Sequence, residues 1–199
     1  RVVDAYDWRT KADQATKKRL RAEGKVVVHR GEYAQAAAMA QSVRRHPLAS
    51  AILSQGRPEA SYYWTDPETG ITCRARADWL REGTAADCIA DVKTCQDASV
   101  DGFGKTIANF GYAMSAAHYL DGYEVLTGRR LPFYFIAVET AAPHFVQVHE
   151  LPADWIADAA VCVAEARALF PQCESEGEFP GYATYLIVTP TRPRWAGEE

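Results

Sequence analysis

The stretch CRARADWLREGTAADCIADVKTC, residues 73 to 95, constrains the fold of this chain more than any other. It holds two strand-like runs separated by the break REGTAAD, and each run carries an aspartate in its interior. Asp78 sits in RARADWL and Asp91 in CIADVKT, with Lys93 two positions on. Alternate side chains of a strand share a face, so Asp91 and Lys93 point one way and Val92 points to the other, apolar side. By the same parity Arg74, Arg76 and Asp78 share a face. If the strands pair, two carboxylates, a lysine and two arginines gather on one side of a sheet. Burying such charges costs several kcal/mol each unless they are paired or bind a metal.

The elements around this stretch follow from periodicity and breakers. TKADQATKKRLRAEGK, from Thr10, reads as an amphipathic helix with a threonine cap and Gly24 past its end, followed by the short apolar run at 26–28. GEYAQAAAMAQSVRRHP gives a second, alanine-rich helix stopped by Pro47, and LASAILS another turn or two closed by Gly56. EASYYWTDPETGITCRARADWL reads as a hairpin, with strands near 59–65 and 71–80 about a PETG turn. A third strand runs from about Cys88 to Thr94, then a mostly helical stretch from Val100 to about Leu126 with glycines in its first turns. PFYFIAVET and PHFVQVHEL are two more strands. PADWIADAAVCVAEARALFP is a helix stopped by Pro171, and PTRPRWAGEE an extended tail. The order predicts one α/β domain over 1–199 with a mixed central sheet flanked by helices: a helical lead-in (1–57), a core (58–150), and a C-terminal helix and tail (151–199).

Composition removes several alternatives. At 199 residues the chain is long enough to bury a core without staples. No run of about 18 apolar residues predicts a membrane span, and RVVDAYDWRTK lacks the layout of a secretory signal. Cys73, Cys88, Cys95, Cys162 and Cys173 form no CxxC pair and no zinc-type Cys/His pattern, so reduced, mostly buried thiols of a cytosolic protein are expected. A net charge of −4 counts against loose coating of nucleic acid, but not against a site where carboxylates hold cations.

Two readings of the charged strands stand side by side. Asp78 and Lys93 could form a structural ion pair, with Asp91 exposed at a strand end. Alternatively a divalent cation relieves the repulsion of two adjacent aspartates, and carboxylate oxygens are what magnesium or manganese prefers. A lysine beside them can orient a water and stabilise charge on phosphorus, which is phosphodiester hydrolysis in outline.

An aspartate in a hairpin strand, then D-x-K in the next strand, then a helix, resembles the PD-(D/E)XK nuclease superfamily. Within it, HPLASAILSQGRPEASYYWTDPETGITCRARADWL, IADVKTCQDAS and FGYAMSAAHYLDGY are similar to RecE-type (exodeoxyribonuclease VIII-like) phage and prophage exonucleases, with GKVVVHRGEYAQAAAMAQSVRRHP as the lead-in. The likeness covers about residues 15 to 125. It implies a restriction-endonuclease-like core, Asp78 and Asp91 as metal-binding carboxylates, Lys93 as the catalytic lysine, and the Val92 carbonyl and His46 as further ligands. On its own, a histidine before proline at a helix end reads as a cap complementing the dipole. Glu59 matches a glutamate that could touch a second metal or the DNA end, or merely hold an arginine. Tyr112, Ser115 and Tyr119 share a helix face at spacings of 3 and 4, where relatives carry Gln-x-x-x-Tyr to position DNA; here Ser115 replaces the glutamine. Arg74 and Arg76 are candidate phosphate contacts.

The resemblance further implies a Mg²⁺-dependent 5′ to 3′ exonuclease, with Mn²⁺ substituting and two ions per site. It would digest one strand of linear duplex DNA to leave 3′ overhangs for a single-strand annealing partner. A homo-oligomeric ring on DNA ends and a bacterial cytoplasmic, phage-encoded setting belong to the same expectation. The alternatives are an endonuclease or single-strand nuclease of the same fold, or a non-catalytic DNA-end-binding module.

Overall fold

The computed structural model describes residues 2–3, 10–182 and 187–190. In chain order its elements are β1 (Val2–Val3), α1 (Lys11–Ala22), β2 (Val26–Val27), α2 (Arg30–Arg45), α3 (Pro47–Ile52), β3 (Arg57–Thr65), β4 (Thr72–Arg81), β5 (Cys88–Cys95), α4 (Val100–Phe110), α5 (Tyr112–Thr127), β6 (Phe133–Glu139), β7 (Val146–Glu150) and α6 (Ala153–Glu176). β3 to β7 form one sheet in sequence order; β5 and β6 run parallel and the other neighbours antiparallel. The parallel pair requires a crossover, supplied by α4 and α5. β1 and β2 make a small separate parallel pair.

Local chemistry explains where these elements start and stop. Thr10 caps α1 by accepting from the Asp13 N–H at 3.1 Å. Pro47 ends α2 and, with its preset φ, opens α3. The PETG turn is built on Asp66, whose Oδ1 accepts from the Thr69 N–H (2.9 Å), the Thr69 hydroxyl (2.8 Å) and the Glu68 N–H (3.2 Å).

Two expectations are corrected. The helix from Val100 is two helices, because Gly111 takes φ 62° and turns the chain between α4 and α5. Helix α6 does not stop at Pro171 but runs on to Glu176. The turn beyond the proline buries Cys173. Of the tail PTRPRWAGEE, only Pro190 falls among the described residues.

The sheet is covered on both faces. On one, Ala77, Ile89, Phe133, Phe135 and Ala137 pack against Phe103 and Ile107 of α4, Leu120 and Tyr123 of α5, and Ile156 and Val163 of α6. On the other, Cys88, Ala90, Ile136 and Val138 pack against Val43 of α2 and Ala49 and Ile52 of α3. β5 is thus central and, over its first residues, buried on both sides, as a strand paired in parallel requires. Cys73, Cys88, Cys95 and Cys173 are buried and Cys162 is exposed, so most of the thiols are buried as expected. No helix among the described residues is long and apolar enough to cross a membrane.

Gly122 places α5 on the sheet. A Cβ there would meet the ring carbons of buried Trp64 at 2.5–2.6 Å. Gly122→Ala should therefore destabilise the protein by about 1–3 kcal/mol, although alanine ordinarily favours a helix interior by about 1 kcal/mol. Urea unfolding measures it as a lower midpoint at unchanged slope.

Candidate active site

The ladder between β4 and β5 is short. It pairs Trp79 with Ala90, Leu80 with Ile89 and Arg81 with Cys88, and stops there. The next position would set Asp78 opposite Asp91. Instead the strands part, and the Asp78 Oδ2 accepts the Val92 N–H at 3.1 Å, a side chain taking the place of a ladder carbonyl. β5 continues beside β6 alone, with Asp91 opposite Phe135 and Lys93 opposite Ala137. Both strands of the charged stretch thus deliver their carboxylates to the point where the sheet opens.

Alternation in β4 slips at the same place. Ala77 and Leu80, three residues apart, both pack into the larger core, while Trp79 packs into the other. Glu59, across from Asp78 on β3, is missing from an otherwise continuous ladder and has φ 52°, unusual for a residue with a side chain. Simple parity for Arg74, Arg76 and Asp78 therefore does not hold. Asp78 reaches β5, whereas the Arg76 guanidinium pairs with Glu59 at 3.0 Å, both largely exposed. Of the roles weighed for Glu59, holding an arginine is the one seen. Arg74 is exposed, and its carbonyl receives His118 Nε2 at 3.1 Å.

Asp91 is the electrostatic centre. It is 5% exposed, and Lys93 Nζ stands 2.6 Å from its Oδ1. The ammonium is thus the charge partner of a carboxylate oxygen that is otherwise buried and unsatisfied. The alternative with Asp91 exposed and Lys93 paired to Asp78 is overturned. Burial, with the Asp78 carboxylate beside it, raises the Asp91 pKa to about 6 against the opposing pull of Lys93. Burial also pulls the Lys93 pKa down, but Asp91 more than reverses it and the ammonium is retained. Lys93 Nζ lies 4.9 Å over the Tyr112 ring, a cation–π contact that closes the other side of the amine.

Helix α5 brings Tyr112 and Tyr119 to this opening, both half-buried against the larger core. Burial and then the Asp91 and Asp78 charges raise the Tyr119 pKa, which registers its place beside the carboxylates. Ser115, on the same helix face, is exposed. A groove of about 470 Å³ follows the unpaired edge of β4, lined by Ser61, Tyr63, Arg74, Ala75, Arg76 and Tyr119. Val92 was expected on an apolar face, but the cover ends short of it and its side chain is 38% exposed.

His46 is an N-cap. Its Nδ1 accepts the Ala49 N–H at 3.2 Å at the start of α3, so the neutral ring carries its proton on Nε2. In that tautomer neither nitrogen is free to ligate a cation; ligation requires giving up the cap. Among the described residues no three His, Cys, Asp or Glu side chains form a ready cage. The donors do fit a hard divalent cation in kind: a buried carboxylate whose close partner is the Lys93 ammonium, a second carboxylate adjoining it, and a neighbouring backbone carbonyl at Val92.

A supporting cluster around His118 has no signature in the sequence. Arg167 of α6 donates to His118 Nδ1 at 2.7 Å, pairs with Asp66 at 3.2 Å and Asp121 at 3.5 Å, and stacks over Trp64. His118 Nε2–H is thereby directed at the Arg74 carbonyl, tying α5 to the free edge of β4. Burial, together with the Arg167 charge, lowers the His118 pKa and keeps the ring neutral. No local pattern signals an arginine whose partner lies 101 residues away.

Because the folded state raises the Asp91 pKa, it binds that proton more tightly than the unfolded chain. The contribution is fully present below the unfolded value near 4 and is lost as pH rises through about 6. Asp91→Asn, a neutral mimic of the protonated form, should therefore be more stable than the parent at pH 7.5 by about 1–3 kcal/mol. The gap should close toward pH 4. Denaturation at the two pH values in chelator measures it; an equal or less stable variant at pH 7.5 contradicts the burial cost.

Comparison with known proteins agrees with this architecture. Residues 4–186 match the family model described as a PDDEXK-like domain of unknown function (DUF3799). Among solved structures, the crystal structure of a "Putative exonuclease" from Eubacterium rectale superposes with a TM-score of 0.60 at 15% identity, covering 81% of this chain. The chain spans 64% of the length of that protein. SSO0001 aligns with a TM-score of 0.39 at 14% identity, over 62% of this chain and 55% of its own, and carries no argument. No curated protein matches. With a five-stranded mixed sheet between helical layers, and Asp78, Asp91 and Lys93 where two of its strands part, the chain belongs to the PDDEXK-like DUF3799 family of the PD-(D/E)XK superfamily.

Proposed function

We propose that this protein is a divalent-metal-dependent deoxyribonuclease that digests linear duplex DNA from its ends. The observation that carries the reading is the buried Asp91 carboxylate, beside Asp78 and 2.6 Å from the Lys93 ammonium, where β4 and β5 separate. A stable fold keeps so costly a group when a ligand completes it. The family and the solved neighbour described as an exonuclease support the same chemistry.

Asp78, Asp91 and the Val92 carbonyl would hold Mg²⁺ or Mn²⁺, with one or two ions per site. When bound, the ion supplies Lewis acidity and a water acidified toward neutral pH. Lys93, aligned by Asp91 and the Tyr112 ring, orients the attacking water and stabilises charge on the phosphate. Arg74, Arg76 and Tyr119 line the groove along β4 and, with the exposed Ser115, would contact the DNA backbone. Relief of the Asp78–Asp91 repulsion on cation binding would lower the Asp91 pKa and keep it ionised at working pH.

Polarity from 5′ to 3′, a 3′-overhang product, a ring on DNA ends and a single-strand annealing partner complete the RecE-like form of this proposal, in a phage-derived bacterial cytoplasmic system. Endonuclease action or single-strand preference on the same fold is the nearest rival, and circular duplex separates them because an exonuclease needs an end.

His46 is proposed as an additional ligand that exchanges its cap for the ion. Histidine is an uncommon choice at an N-cap, where serine or asparagine serves better. His46→Asn should therefore keep the thermal stability and lose Mg²⁺-dependent digestion; full activity would assign the residue to capping alone.

Digestion of linear duplex labelled separately at each 5′ end should require Mg²⁺ and spare circles. Lys93→Ala should slow it on the order of 10²-fold or more, as loss of a transition-state charge partner does. Intact duplex under every condition would remove the enzyme reading and leave a DNA-end-binding module.

A further inference from the structure

Helices α4 and α5 meet at Gly111, and the break has a geometric result that neither helix could produce alone. On a continuous helix residues 110 and 112 point away from each other and their rings cannot meet. With Gly111 at φ 62°, Phe110 and Tyr112 stack, their centroids 5.6 Å apart and their planes 20° from parallel. Tyr112 in turn lies 4.9 Å beneath Lys93 Nζ and 5.9 Å from the buried ring of Phe135. One aromatic row therefore leads from the core, past the ammonium of the site, to Phe110, which is 70% exposed. Met114, on the first turn of α5, is also exposed.

A single exposed phenylalanine is ordinary on a protein surface. This one is the outer end of a row whose middle member touches the lysine, and its apolar ring is open to solvent one ring away from the Lys93 ammonium. Every nucleobase presents a flat π face that stacks on such a ring whatever its sequence, whereas phenylalanine has no polar atom with which to read base edges. We propose that Phe110 is a stacking platform for an unpaired base at the end of the DNA strand whose phosphate enters at Lys93. The position of that phosphate rests on the nuclease reading; stacking itself needs no cleavage.

The test uses short duplexes carrying 2-aminopurine either at a frayed terminal position or at an internal one, titrated with protein in EDTA so that no strand is cut. Wild type should quench the terminal probe more than the internal one. Phe110→Ala should abolish that difference and weaken binding of the frayed end by about 5- to 100-fold, the range seen when a base-stacking aromatic is removed. Phe110→Trp should retain both. Phe179→Ala, at a comparably exposed ring just beyond α6, should behave as wild type. The proposal is overturned if Phe110→Ala matches wild type, if both probes respond alike, or if wild type leaves both unchanged. It is also overturned if the variant alters only the sedimentation of the free protein, which would make Phe110 a self-association contact. Failure of the nuclease reading would appear separately, as linear duplex left uncut in Mg²⁺ while terminal quenching persists.

Discussion

The Asp78 carboxylate accepting the Val92 N–H is the contact on which the site depends. A sheet whose strands stayed paired would satisfy that N–H with a carbonyl and leave no room for chemistry. Here the ladder ends after Trp79 and Ala90, and a side chain takes over, so β4 and β5 can diverge without orphaning the backbone. The slip in alternation at Asp78 and the left-handed backbone of Glu59 across from it belong to the same departure from regular pairing. Glu59, the strand residue with left-handed backbone among those described, thus lies at the opening.

The electrostatics follow from that opening. Asp91 lies in a central strand, deep enough to lose its hydration yet close enough to Asp78 for their charges to repel. Lys93, 2.6 Å from Oδ1, offsets part of this cost. Such a centre is less stable than an apolar one, and the surrounding core carries the difference. Phe135, beside Asp91 across the ladder, and Tyr112, under Lys93, set the low polarity that makes each charge count.

Rigidity comes from elements remote in sequence. Arg167 on the last helix fixes the His118 tautomer, and His118 holds the Arg74 carbonyl on the unpaired edge of β4. Trp64 lies beneath this network and against Gly122, so the position of α5 is set by packing and hydrogen bonding together. The groove along β4 therefore has a braced floor, with the exposed side chains of Arg74 and Arg76 on its wall.

Much of this was legible in the chain itself. Alternation in RARADWL and CIADVKT, the PETG turn and the proline and glycine breakers determined the order of elements and the mixed sheet. The D-x-K triplet with an upstream aspartate marked the candidate site only together with the resemblance to the PD-(D/E)XK superfamily; the pattern by itself left a structural ion pair open. Periodicity could not show that β4 would lose its alternation at Asp78, that Arg76 would turn to Glu59, or that α6 would pass through Pro171. Nor could it show that His46 would cap α3 or that Arg167 would find His118. Local pattern reports which face a residue prefers when its element is regular. Where two strands part, and where partners lie a hundred residues away, the outcome is decided by packing and hydrogen-bond satisfaction across the whole fold.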